Sequence, residues 1–364
     1  MMAPTTPYEA LIIAASSLTG TEILQGSDEA DLAVAELFVE NNSEALASAR
    51  DALRAGCTVS LKNEASFFAE RCNAVPPLRN LANAFVLELR LAANRCDFAN
   101  AVQIGVDLFD LANATRRGGL KIDFLVSLAL SDLGFSRLRR LRDRLDEPSR
   151  RSLVSALDRI NREQEPFAVI AKRDRDWENA VNYPDAPFDV AQDRTKANLV
   201  GRSEEEHTAM FDCIQAFAKL PVEEQNSNHA SLDRRCTASM RMLKIDLALR
   251  SYRHAASTYP QDLTDLIPDF LDNLPLDPLT DQPFVYRNAS GDSFVLYSTG
   301  PHKIDHGGVF GHWLDVEAGR VDFCLDTNDD SLGCCSLKIK PRGIIPRILA
   351  TIRSTWTSRR VGRG

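Results

Sequence analysis

The sequence has no run of about 18 uncharged apolar residues, so it predicts no membrane-spanning helix. Its densest apolar stretch, 120–135, is interrupted by Lys121, Asp123 and Asp132 and reads as a buried helix. Residues 1–20 carry no Lys or Arg ahead of their short apolar run, which argues against a secretory leader and for a cytoplasmic location. No CxxC pair occurs, so the common zinc and redox spacings are excluded. A glycine-rich phosphate loop ahead of Lys-Ser/Thr is also missing, as are GxSxG, HExxH and GxGxxG. No motif therefore points to an enzyme, and no 34-residue self-similarity establishes a regular repeat array.

What is present is ordinary for a globular protein: 44% hydrophobic and 26% charged residues over 364 positions, a length that suggests two domains. The net charge of -8 is uneven. From 338 to the end there are basic residues (among them Lys338, Lys340, Arg347 and Arg353) and no acidic ones, so the body is more acidic than the total implies. An acidic body argues against a broad nucleic-acid surface. The tail Ile344–Arg363 combines Ile344, Ile345, Ile348, Leu349 and Ile352 with arginines, and suits peripheral contact with an anionic membrane. Cys57, Cys72, Cys96, Cys213 and Cys236 are scattered and expected to be buried. Cys324, Cys334 and Cys335 cluster, either as reduced thiols or with one bond to Cys324.

Periodicity divides the chain into an arm at 1–27, a helical hairpin domain at 28–175 and a linker at 176–230. An α+β module at 231–330 and a basic tail at 331–364 complete it. Helices are expected at 28–40, 43–55, from Pro76-Pro77 onward, from about Ala101 to Gly118-Gly119, at 120–134, at 135–145 and at 147–161. Short turns between them imply antiparallel neighbours, either a hairpin stack with a concave groove or a closed bundle. In the linker, Ser203 and Glu206 form a capping box for one amphipathic helix. The module opens with a helix at 231–257 whose stripe is Met242, Ile245, Leu249, Tyr252 and Ala256, with Arg241, Lys244, Arg250 and Arg253 off that stripe. A short helix at 261–267 and strands at 284–287, 293–297 and 320–325 follow, with Gly291 in the hairpin turn. The fold class is mainly α with a C-terminal α+β module, a long helix on a small three-stranded antiparallel sheet.

Several short motifs recur together: Ala248, Leu249 and Tyr252, then Tyr259-Pro260, the run ending at Ile267-Pro268, Asp277-Pro278, Pro283 with Tyr286, and Phe294, Tyr297, Ser298 and Gly300. As a set, over about residues 240–308, they resemble the globular part of the major pseudopilin of type II secretion. The whole layout also resembles a class of planctomycete proteins that join a tetratricopeptide-like helical region to such a module. The pseudopilin resemblance implies a building and assembly role and a calcium site in the loop after Ser298. Here that loop keeps Asp305 but has His302 and His306 where carboxylates are expected, and imidazole is a poor calcium ligand. The charged helix, with Arg241, Lys244, Arg250 and Arg253, departs from a filament subunit's apolar helix.

Two other metal constellations arise from the residues themselves. His302, Asp305, His306 and His312 could suit a transition metal, and with it a metal-dependent hydrolase. Asp326, Asn328 and Asp330 are similar to the start of an EF-hand loop, but Ser331 and Leu337 stand where glycine and glutamate belong, which leaves only a nonstandard calcium site. The reading that results is a non-enzymatic scaffold or adaptor that binds a protein partner. An accessory component of a secretion or envelope assembly is the alternative.

Overall fold

A computed structural model describes residues 6–26, 31–181, 220–289 and 292–326. The fold is mainly helical, with small antiparallel sheets near the C-terminal end of the described chain. The expected linker helix at Ser203, residues Asn328 and Asp330, Gly291, Cys213, Cys334, Cys335 and the tail Ile344–Arg363 lie outside the described residues.

The helices group around α5 (Phe98–Arg116), which packs on α3 (Ser43–Arg54), α4 (Ser66–Asn94), α6 (Lys121–Leu141) and α7 (Glu147–Glu163). The crossing of α5 and α6 depends on two glycines. A Cβ on Gly134 would stand 3.1 Å from the Gly105 carbonyl oxygen and 3.2 Å from Leu108 Cβ. One on Gly105 would meet the Leu138 side chain at 2.7 Å. The expected break at Gly134 therefore does not occur: α6 runs through it, because this glycine serves a close helix–helix approach and not a turn.

Two further boundaries differ from expectation. Helix α4 begins at Ser66, well before Pro76-Pro77, which lie inside it. Each proline forfeits one backbone hydrogen bond, but the first turns are held by burial of Phe67 and Arg71. Within the expected arm, residues 7–16 form a helix. Thr6 and Glu9 form a reciprocal cap (Glu9 N–H to Thr6 Oγ1 at 3.2 Å, Thr6 N–H to Glu9 Oε2 at 2.9 Å) that starts α1 (Pro7–Ser16). Helix α1 buries Tyr8, Leu11, Ala14 and Ala15 against α3 and α4. Arg71 lies 4.7 Å from the Tyr8 ring centre and donates to the Tyr8 hydroxyl and to Asp123 Oδ1 at 2.7 and 2.9 Å. Helix α2 (Leu32–Asn41), capped by Asp31, packs on α4, and α8 (Phe167–Ala180) on α6.

The long helix α9 (Val222–Ala256) starts earlier than 231 and is not simply amphipathic. Every residue from Ala238 to Leu249 except Arg241 is buried, including Lys244 and Asp246. A helix enclosed on all sides has neighbours on all sides. On one side α9 meets α6, α7 and α8, and on the other β1 (Leu276–Asp277) and β4 (Phe294–Ser298). Lys244, expected off the buried stripe, instead reaches Asp158 of α7 at 2.6 Å. Arg116 at the end of α5 grips Asp233 of α9 with both nitrogens, at 2.7 and 2.8 Å. Through α9 one continuous apolar core extends from Tyr8 to Leu325.

Beyond α9 the expected short helix is a 3-10 turn, Leu263–Leu266. Strand β1 pairs antiparallel with β2 (Gln282–Pro283), and β3 (Val285–Asn288), β4 and β5 (Phe323–Cys324) form the order β3-β4-β5. Tyr286 faces Leu296, Val285 faces Tyr297, and Ser298 faces Phe323. A short helix α10 (Trp313–Glu317) closes the layer by burying Trp313, over which Arg235 of α9 stacks at 4.5 Å.

Candidate functional site

The loop after β4 is built by carboxylates that accept from their own chain. Asp305 Oδ1 accepts from the Tyr297 hydroxyl at 2.8 Å and the Gly307 N–H at 2.7 Å, and Oδ2 from Arg287 Nη2 at 3.0 Å. The Gly307 N–H first, then the Tyr297 hydroxyl, hold the Asp305 carboxyl below the usual range. Burial and the Asp305 charge push the Tyr297 phenol up to about 12. Asp322, fully buried beside β5, accepts from the Gly308 N–H at 2.8 Å and the His306 N–H at 3.2 Å. Gly307 and Gly308 have φ of +74° and +86°, which turns both N–H groups inward.

This arrangement does not fit calcium, which needs six to eight oxygens converging on one point. Here the oxygens of Asp305 and Asp322 already meet N–H and O–H donors. His302 Nε2 is engaged 2.7 Å from the Glu317 carbonyl oxygen, while His306 Nδ1 lies 3.5 Å from Asp322 Oδ1. The two imidazoles thus serve different partners. Among the described residues no group of three or more His, Cys, Asp or Glu is arranged to hold a metal ion. Asp326 is also committed. It receives Arg142 Nη1 and Nη2 at 3.0 and 2.8 Å, and Arg139, so two guanidinium groups occupy the place a cation would need.

Sequence reasoning placed Asp277 and Ser298 in separate short motifs; the structure brings them together. Ser298 Oγ donates to Asp277 Oδ2 at 2.6 Å and accepts from the Gly300 N–H at 3.0 Å. Asp277 also accepts from the Leu279 N–H at 2.9 Å and Thr280 Oγ1 at 3.0 Å. Burial raises its carboxyl despite these bonds. The Tyr286 hydroxyl donates to the Pro260 carbonyl at 2.7 Å, and Asn288 Nδ2 reaches the Tyr259 carbonyl at 3.0 Å. The motif residues thus join the end of α9 to the sheet. Asp322 escaped sequence reasoning, although it lay within the expected third strand. Of the cysteines, Cys57 is buried, but Cys96 is exposed at the α4–α5 turn with φ +56°, contrary to expectation.

Among the described residues, exposed apolar side chains include groups on α2 and in the sheet layer. On α2, Leu32, Val34 and Leu37 are 41%, 46% and 58% exposed, while Ala35 and Phe38 are buried on the face next to Val34 and Leu37. Val34 and Leu37 are three residues apart and share one side of the helix. In the sheet layer, Ile304, Val309 and Phe310 are exposed around the loop just described. The signal for the first surface was legible in LAVAELFVE, which has apolar residues on more than one helical face. No helix among the described residues is long and apolar enough to cross a membrane. Comparison with protein-family models, curated proteins and solved structures gives no match.

Proposed function

We propose that this chain is a non-enzymatic scaffold that binds a protein partner through α2, with the sheet layer as a second surface. The exposed pair Val34 and Leu37, three residues apart on one side of α2, carries this reading. Isolated exposed apolar residues are common, but neighbours on one helical face present a surface that gains from being covered. The second surface rests on Ile304, Val309 and Phe310, held on a loop fixed by Asp305 and Asp322. The contacts among Asp277, Ser298, Tyr286 and Pro260 support treating the pseudopilin-like motifs as one structural unit. Because the helix of that unit is enclosed by α6, α7 and α8, the unit serves here as a fixed layer of a larger body.

Chemical cross-linking in extracts of the native host tests the reading. Wild type and Val34→Glu/Leu37→Glu are captured in parallel, with circular dichroism confirming equal helicity. The expected result is a protein cross-linked to wild type and reduced at least tenfold in the variant. An identical set of captured proteins from both chains would sink it.

A further inference from the structure

Residues 1–49 contain eight Asp and Glu and not one Lys, Arg or His; the first basic residue of the chain is Arg50. Helix α2 lies within this run, with Glu36 and Glu40 and no basic residue of its own. Both glutamates are exposed. Glu40 follows Leu37 by three positions and Glu36 by four, so it stands beside both on the helix surface. The two glutamates thus form an acidic row next to the apolar row of Val34 and Leu37. Glu36 is met by Arg95 at 2.8 Å, an exposed pair that water screens. Glu40, and Glu44 in the first turn of α3, have no ion pair among the described residues.

An apolar row beside an acidic one selects its partner. Surfaces that present phosphates, whether lipid headgroups or nucleic acid, are anionic and are repelled by a run without a base. A neutral apolar partner would cover Val34 and Leu37 but leave the adjacent glutamates without a counter-charge. A segment with aliphatic side chains along one row and Lys or Arg along the next satisfies both.

We propose that α2 docks a cationic amphipathic segment of a partner protein, with its aliphatic side chains on Val34 and Leu37 and its basic side chains on Glu36 and Glu40. This rests on the reading of α2 as a partner-binding surface and adds the charge that the partner carries there.

Two synthetic peptides of about 16 residues test it, with the same leucines at helical spacing and either Lys or Glu along the flanks. The full chain is compared as wild type, Glu36→Lys/Glu40→Lys and Val34→Ser/Leu37→Ser, with circular dichroism confirming equal helicity. All four positions are exposed, so the core is untouched. Fluorescence anisotropy gives the affinities and hydrogen exchange the location. Wild type should bind the Lys peptide at least tenfold more tightly than the Glu peptide, with slowed exchange in Leu32–Asn41. Glu36→Lys/Glu40→Lys should reverse that preference, and Val34→Ser/Leu37→Ser should weaken the Lys peptide at least fivefold. Equal affinities, a preference that survives the lysine substitutions, or unslowed exchange in Leu32–Asn41 would overturn the proposal. Slowing of Leu32–Asn41 by vesicles of anionic lipid would assign the face to a membrane, and slowing that grows with protein concentration without peptide would assign it to a second copy; either overturns it. These outcomes strike the charge of the partner alone, because the loss or survival of the cross-linked protein in Val34→Glu/Leu37→Glu judges α2 as a partner-binding surface separately.

Discussion

His229 stands between the rings of Phe124 and Phe167, at centre distances of 6.0 and 5.7 Å, with Lys121 nearby. Burial first, and the Lys121 charge second, push its imidazole down to about 4 from an ordinary 6.5. The folded state therefore binds this proton less readily than the unfolded chain, so stability contributed above pH 6.5 is lost as pH falls from 6.5 towards 4. Urea unfolding at pH 7 and pH 4.5 should show wild type losing roughly 2–3 kcal/mol more than His229→Phe over that interval. Equal losses would remove His229 from the acid response. A second prediction concerns Ser298. Its hydroxyl both donates to buried Asp277 and accepts from the Gly300 N–H. Ser298→Ala should cost about 1.5–3 kcal/mol by urea unfolding at pH 7, because a bond to a charged buried group is lost.

At the scale of elements, local signals served well where local chemistry decides. The helix expected at 147–161 is α7, with Pro148 in its first turn and the Ser149 N–H bonding Asp146 Oδ1 at 2.9 Å. The β3–β4 hairpin follows from alternating aromatic and β-branched residues. Local signals failed where distant contacts decide. Pro76-Pro77 looked like a helix start, yet Arg71 one turn earlier is fixed by Asp123, fifty-two positions away. Lys244 fell off the expected buried stripe because nothing in its neighbourhood reveals Asp158. The loop of His302, Asp305 and His306 was visible as a cluster, but the direction of each side chain depends on Arg287, Asp322 and Glu317, which no spacing rule supplies. Two substitutions test the elements. Gly134→Val should destabilise by about 1–3 kcal/mol through crowding at the α5–α6 crossing, and Leu243→Ala in the enclosed part of α9 by about 2–5 kcal/mol. Both are read from denaturant midpoints at constant m, and a loss under 0.5 kcal/mol would contradict the packing described.

At the scale of the whole molecule, α9 is the member that the helical body and the sheet layer share. Arg116–Asp233 and Lys244–Asp158 fix it on one side, and Arg235–Trp313 on the other. The continuous core predicts that the slowest-exchanging amides of α5 and of β4 open with the same denaturant dependence in hydrogen exchange. Separate dependences would mean two independently unfolding units. Under the proposed function, this body holds the exposed Val34–Leu37 pair of α2 in place. The most direct measurement is therefore hydrogen exchange of the chain with and without the protein that cross-links to it. The account predicts slowed exchange in Leu32–Asn41, with the interior of α5 unchanged. Slowed exchange elsewhere, with Leu32–Asn41 unaltered, would contradict it.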